Sequence, residues 1–181
     1  MSAELRPVDR DGFRALLRRQ ASTVTVVTAV ARGTADPACL GGLGAPVRAG
    51  FTATSFTSVS LDPPLVSFCL GTGSSSWPVI SRAEHVAVHL LGAGQRETAR
   101  IFATSGIDRF AAYPGWTAGP FGLPLLAGVL GRLLCRVVRR VAAGDHTLVI
   151  AEPLALDDGH DGDPLVYHRG GYTSAGAAVP A

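Results

Sequence analysis

The chain has 181 residues, of which 47% are hydrophobic and 17% charged, a balance that supports one compact domain with a sizeable core and excludes intrinsic disorder. The 16 basic residues are all arginine and face 14 acidic ones, for a formal net charge of +2; pairs occur only at Arg18-Arg19 and Arg139-Arg140, so no basic stripe exists for a nucleic-acid backbone. The N-terminal residues Met1 to Asp11 lack an apolar run and no later window reaches the ~18 uninterrupted apolar residues of a membrane helix, so neither a membrane nor a nucleic-acid partner is expected, and a cytoplasmic location is. Cys39, Cys69 and Cys135 are odd in number and lack metal-ligand spacing, which predicts free thiols.

Taken in chain order, Asp9 to Gln20 carries Phe13, Leu16 and Leu17 on one face, with Asp9 or Asp11 as N-cap, and predicts a short amphipathic helix. Thr23 to Thr28 is β-branched throughout and predicts the first strand. The Gly/Pro-rich segment from Thr34 to Ala49 sustains neither period and reads as a loop or ragged hairpin. Phe51 to Ser60 and Leu65 to Leu70 read as strands parted by Asp62-Pro63-Pro64, where proline removes backbone donors and forces a turn. Ser74, Ser75 and Ser76 offer capping hydroxyls ahead of a helix start at Trp77-Pro78. His85 to Leu91 alternates as a half-buried strand with Val86, Val88 and Leu90 on one side; Gly94 to Ala103 reads as helical, with a further turn at Asp108-Arg109-Phe110. Ala111 to Gly128, broken by three prolines, reads as an irregular connection. Leu133 to Val141 and His146 to Leu156 form a hairpin through Ala142 to Asp145, and Leu165 to His168 is a last short strand. Strands mostly follow strands, so a closed or nearly closed antiparallel barrel, which removes exposed edges, is the expected architecture.

Candidate chemistry is sparse. Gly71-Thr72-Gly73 lacks the third glycine and the strand-helix-strand context of a dinucleotide fingerprint, whereas serines at a helix start suit either a phosphate or simple capping. No serine or cysteine has a nucleophile's context. His85 and His89 have the four-residue spacing of a metal pair on a helix but fall on a strand with no third ligand, so solvated or packed histidines are expected. The acidic run Asp157 to Asp163 lacks the closing glutamate of a calcium loop and reads as a solvated turn. Gly144-Asp145-His146 is a turn that presents a carboxylate and an imidazole at a strand mouth.

Three ordered motifs carry a resemblance. Phe51 to Val66 (FTATSFTSVSLDPPLV) resembles the signature stretch of the flavin reductase-like family, the small reductase components of two-component flavin monooxygenases; Gly144-Asp145-His146 resembles the family's turn motif and Pro164 to Tyr172 (PLVYHRGGY) its usual ending. The likeness spans about residues 11–173. It implies a mainly β fold, a Greek-key-like split barrel with a few short helices, forming one domain over residues 1–173; the segment from Ser174 to Ala181 has nothing to pack and is expected to be a mobile tail. It further implies a homodimer that binds FMN or FAD and reduces it with NADH or NADPH, the reduced flavin passing by diffusion to an oxygenase component. Carried over residue by residue, Thr52, Ala53, Thr54, Ser55, Phe56, Ser58, Ser60, Cys69, Phe102, Arg109 and Tyr172 are flavin-binding, Ser75 and Ser76 meet the flavin phosphate, and His146 lies beside the nicotinamide as both cofactor-binding and catalytic residue; no metal is implied. Hydride transfer between two cofactors needs stacking and orientation rather than a side-chain base, which agrees with the lack of an acid-base dyad. The segment Ala35 to Ala49 is longer than the family's usual connection, and Ala112 to Gly128 is generic. An oxidase of the pyridoxamine phosphate type or a non-enzymatic flavin carrier on the same barrel are the competing readings; the Gly-Asp-His turn and the Ser-Leu-Asp-Pro-Pro stretch argue against the first.

Overall fold

The computed structural model describes residues 5–33 and 44–175. The predicted loop at 34–49 therefore lies partly outside the described residues, as do Cys39 and positions 176–181 of the predicted tail. The elements are α1 (Arg10–Leu17), β1 (Ser22–Thr23), β2 (Thr25–Gly33), β3 (Gly44–Ala53), β4 (Thr57–Leu61), β5 (Pro64–Gly71), α2 (Trp77–Ile80), β6 (His85–Leu90), α3 (Arg96–Ala103), α4 (Arg109–Ala112), β7 (Trp116–Ala118), β8 (Pro124–Leu126), β9 (Gly131–Ala143), β10 (His146–Asp157), β11 (Leu165–His168) and β12 (Gly171–Ser174).

Seven strands form one antiparallel sheet in the order β3-β2-β6-β9-β10-β5-β4. Its two edge strands, β3 and β4, follow one another in the chain and are joined only by Thr54, Ser55 and Phe56. Four Cα steps reach at most roughly 14 Å, whereas seven flat strands spaced at ~4.8 Å would set the edges about 29 Å apart. The sheet must therefore curl until its edges approach. Phe51 on β3 accordingly meets Phe68 on β5 with ring centroids 5.9 Å apart, and Ser55 bonds to the Cys69 backbone. The architecture is the expected mainly β split barrel, and no helix among the described residues is long and apolar enough to cross a membrane.

The curl also divides the core. Val27, Phe51, Phe68, Val88 and Val149 fill the barrel interior, while Val24, Val26, Leu91, Phe102, Leu126 and Leu165 form a second cluster on the outer side of β2, under α3, β8 and β11. The strand expected over Thr23 to Thr28 therefore breaks at Val24: Thr23 pairs with β11 in β1, while β2 buries both faces and leaves no polar alternation from Thr25 to Ala29.

Several local expectations are revised. The strand predicted over Phe51 to Ser60 is two strands, because the chain must leave one sheet edge at Ala53 and join the other at Thr57. The strand read as half-buried at His85 to Leu91 buries Ala87 and His89 as well as Val86 and Val88, because β8 covers its second face. The connection Ala111 to Gly128 holds the small hairpin β7-β8. Ser174, expected in the tail, instead pairs with Leu165 at the end of β12. The α1 N-cap is Asp9, whose carboxylate accepts from the Gly12 N–H at 2.7 Å, and the hairpin turn is Gly144-Asp145, with Gly144 at a positive φ of 63° that glycine tolerates.

Candidate active site

A cleft of about 490 Å³ lies between the outer end of β3 (Pro46 to Gly50), the serine turn at Ser75-Ser76 and the segment Gly106 to Phe110. Its geometry starts with α4. The Asp108 carboxylate accepts the N–H groups of Phe110 and Ala111, both at 3.0 Å, and so fixes the start of a helix too short to stand alone. Phe110 then locks the turn by meeting Phe102 and Trp116 edge-on at 5.4 and 5.5 Å. This leaves Arg109 facing the cleft.

The Arg109 guanidinium donates through Nε to the Thr104 carbonyl at 2.9 Å, through Nη1 to Ser76 Oγ at 2.9 Å and through Nη2 to Ser75 Oγ at 3.1 Å. It forms no ion pair among the described residues, and burial without a carboxylate lowers its pKa from the ordinary guanidinium value. Guanidinium has five N–H donors, so two remain for a ligand, together with the Ser75 hydroxyl proton. Ser76 is fully buried, and its hydroxyl donates to the Gly50 carbonyl at 3.0 Å instead of capping α2. Its proton is therefore spent, and it acts on an anion only by holding Arg109.

The other candidate residues fall into distinct groups. At the barrel seam Ser55 Oγ accepts the Cys69 N–H at 2.9 Å, taking the place of a ladder partner where β4 no longer pairs with β5. Thr54 is exposed beside it, Ala53 is buried, and Phe56 packs half-buried on the inner core. Thr52 donates to the Ala99 carbonyl at 2.7 Å, and Phe102 is completely buried beneath Gly50, where an added Cβ would stand 2.6 Å from its ring. Phe102 thus supports the cleft floor without lining it. Ser58 and Ser60 lie on the edge strand β4.

His146 opens β10 opposite Gly71, and its Nδ1 is 2.7 Å from Asp145 Oδ1, which holds the Asp145 carboxyl below its ordinary pKa. The Asp145 carbonyl accepts both the N–H and the hydroxyl of Thr72, so the turn is pinned to the end of β5, four residues before Ser76. Gly71 has no side chain to cover the imidazole, since a Cβ there would meet His146 Nε2 at 3.5 Å. Tyr172 sits apart on the small sheet, edge-on to Tyr167 at 5.4 Å and half-buried against the outer core.

The histidine pair at 85 and 89 is resolved against metal binding. His89 is buried with both ring nitrogens engaged, and His85 stacks on Phe121 at 3.8 Å. Sequence reading missed Arg48, Gly50, Thr104 and Trp116 around the cleft. Only Asp108, as the cap of a short turn, carried a local signal.

The flavin reductase like domain family matches residues 17–176. The chain belongs to the flavin reductase-like family. Among its curated relatives, the NADH:FMN oxidoreductase of Rhodococcus qingshengii is 42% identical over 164 residues, covering 88% of this chain and 79% of that protein. The flavin-dependent monooxygenase reductase subunit HsaB of Rhodococcus jostii is 32% identical, covering 92% and 78%. The solved structure of Streptomyces globisporus C-1027 NADH:FAD oxidoreductase SgcE6 in complex with NAD and FAD fragments is 30% identical, with a TM-score of 0.81 over 99% of this chain and all of that one.

Proposed function

We propose that this chain is an NADH-dependent flavin reductase that turns over FMN and hands the reduced flavin to a separate oxygenase component. The observation that carries the reading is Arg109: a half-buried cation without a carboxylate partner among the described residues, pre-aimed by two serines, with three donors left between it and Ser75. That donor set fits the three terminal oxygens of a flavin phosphate. The bound flavin supplies the redox chemistry by accepting a hydride from the reduced nicotinamide.

The protein's own residues bind and orient. Ser75 and Arg109 take the phosphate, while Ser76 and Thr104 hold the guanidinium in place. The seam from Thr52 through Ser60, with Cys69 behind it, gives the ring a wall of small residues and exposed hydroxyls, and Ser55 stiffens that wall by its bond to Cys69. His146, steadied by Asp145, positions the nicotinamide. No side chain is needed as a proton donor for the hydride step. The proposal takes NADH as donor because the relatives' names specify it, and an oxygenase as recipient because relatives such as HsaB are named as reductase subunits of monooxygenases. A homodimer is supported by apolar side chains left uncovered on β4, β9 and β10, notably Leu61, Val138, Leu154 and Leu156.

The test is an anaerobic assay with flavin in large excess over protein. Many flavins bleached per protein chain at the expense of NADH are expected. Stoichiometric bleaching alone would mark a flavin carrier, and oxidation of pyridoxamine phosphate without NADH would mark the oxidase.

A further inference from the structure

The cleft holds a second guanidinium that has no role in the scheme above. Arg48 lies on β3 two residues before Gly50, and the pleat places both on one face of the strand. Gly50 fixes the direction of that face, because a Cβ there would touch Phe102 and Phe110. Arg48 lines the same cleft as Ser75 and Arg109, with its guanidinium carbon 5.1 Å from the centre of the Trp116 ring. The indole is itself fixed, its Nε1–H donating to the Phe110 carbonyl at 3.2 Å. A long side chain that would otherwise sample many rotamers therefore rests on a rigid aromatic platform at the cleft wall. Arg48 forms no ion pair among the described residues.

The charged groups lining the cleft are Arg48, Arg109 and Asp108. The Asp108 carboxylate holds the N–H groups of Phe110 and Ala111 through Oδ1 and keeps its charge, so among the described residues the lining carries two guanidiniums against one carboxylate. One guanidinium balances the charge of either phosphorus in a pyrophosphate, each of which carries a single charge and two free oxygens. A phosphomonoester has three free oxygens and approaches a charge of −2 above its second pKa of about 6. The pyrophosphate of FAD spreads its two charges over two phosphorus atoms, so two cations at one point gain more from the phosphomonoester, which concentrates both charges on one.

We propose that Arg48, held on Trp116, is a specificity-determining residue that makes the cleft favour a flavin ending in a phosphomonoester, FMN, over one continuing through a pyrophosphate, FAD. The proposal rests on the assignment of the flavin phosphate to Ser75 and Arg109. Its experiment is equilibrium binding of FMN, FAD and riboflavin, read by flavin fluorescence, to the wild type, Arg48→Gln, Arg48→Lys, Trp116→Leu and Arg109→Gln.

Arg48→Gln weakens FMN roughly tenfold, the scale of one charge-assisted contact, and FAD by no more than about threefold, with riboflavin unchanged. Wild-type affinity for FMN rises between about pH 5.5 and 7.5 as the phosphate loses its second proton, and this rise flattens in Arg48→Gln. Arg48→Lys keeps the charge without the planar fork, and Trp116→Leu keeps the fork without its platform; both fall between wild type and Arg48→Gln. An unchanged FMN-to-FAD ratio and pH profile in Arg48→Gln, with Arg109→Gln weakening both flavins, overturns the role of Arg48 alone. If Arg109→Gln also leaves FMN binding intact, the phosphate assignment itself falls.

Discussion

His89 and His146 show how burial alone assigns opposite tasks to one residue type. His89 on β6 is completely buried; its Nδ1 lies 3.0 Å from the Val26 carbonyl and its Nε2 accepts the Leu126 N–H at 3.1 Å, so the neutral ring carries its proton on Nδ1 and ties β2 to β8 across the outer core. Burial, outweighing the backbone bond and helped by the Arg132 charge, pushes its pKa down to about 4. His146 stands at the tip of the β9-β10 hairpin, about half exposed, with one nitrogen on Asp145 and the other turned toward Gly71. The first histidine is a structural connector that has to stay neutral. The second keeps about half of its side chain open to solvent.

The comparison breaks most visibly at His89. Replacing it by alanine strands the Val26 carbonyl and the Leu126 N–H in the core and opens a cavity, at a cost of about 3–5 kcal/mol; urea denaturation is the measurement, and the same change at His146 should cost less than about 0.5 kcal/mol.

The pH dependence follows with a slightly smaller effect. Because the folded-state pKa of His89 is about 4 against 6.5 for the free side chain, the unfolded chain binds the proton first. Stability is complete above about pH 6.5 and is lost as pH falls toward 4, by about 3 kcal/mol from this residue. Denaturation midpoints at several pH values should show that slope in the wild type and not in His89→Gln.

His146 sharpens the other side of the contrast. His146→Ala should raise the KM for NADH or slow flavin reduction by roughly ten- to a hundredfold, with flavin affinity nearly intact in parallel titrations. A collapse of flavin binding with unchanged NADH kinetics would move His146 into the flavin site. The smallest effect belongs to Asp145→Asn, which keeps an oxygen acceptor for Nδ1 and removes only a solvent-exposed charge. A change of a few-fold in NADH KM is expected, with no loss of stability.

Motifs set within one element were legible from the sequence. The Asp9 cap, the turn at Asp62-Pro63 and the turn at Gly144-Asp145 depend on neighbours a few residues apart and occur where expected, whereas the β-branched run from Thr23 to Thr28 is strand only on either side of Val24, its first residue going to β1 and the rest to β2. The run at Thr23 to Thr28 did not say that both faces of β2 would be covered. That depended on α3 and β8 arriving from far along the chain, which also explains why the alternation of Val86, Val88 and Leu90 suggested a half-solvated strand.

The site divides along the same line. The residue types that make Ser75, Ser76 and Arg109 useful were in plain view, but the bonds between them join positions 33 and 34 residues apart, and which hydroxyl keeps a free proton was decided by the Gly50 carbonyl, 26 residues from Ser76. Arg48 and Trp116 gave no local signal at all, since neither lies in a motif and their contact joins β3 to β7 across three strands and the helices between them. The sequence by itself determined the secondary-structure periods, the turns and the family motifs, because these rest on local sterics and on chemistry carried within a few residues. Only the tertiary structure decided the two-faced burial of β2 and β6, the break of the signature strand at Thr54 to Phe56 and the two-arginine cleft, because closing a seven-stranded sheet on a three-residue link forces distant segments together in ways that no single segment encodes.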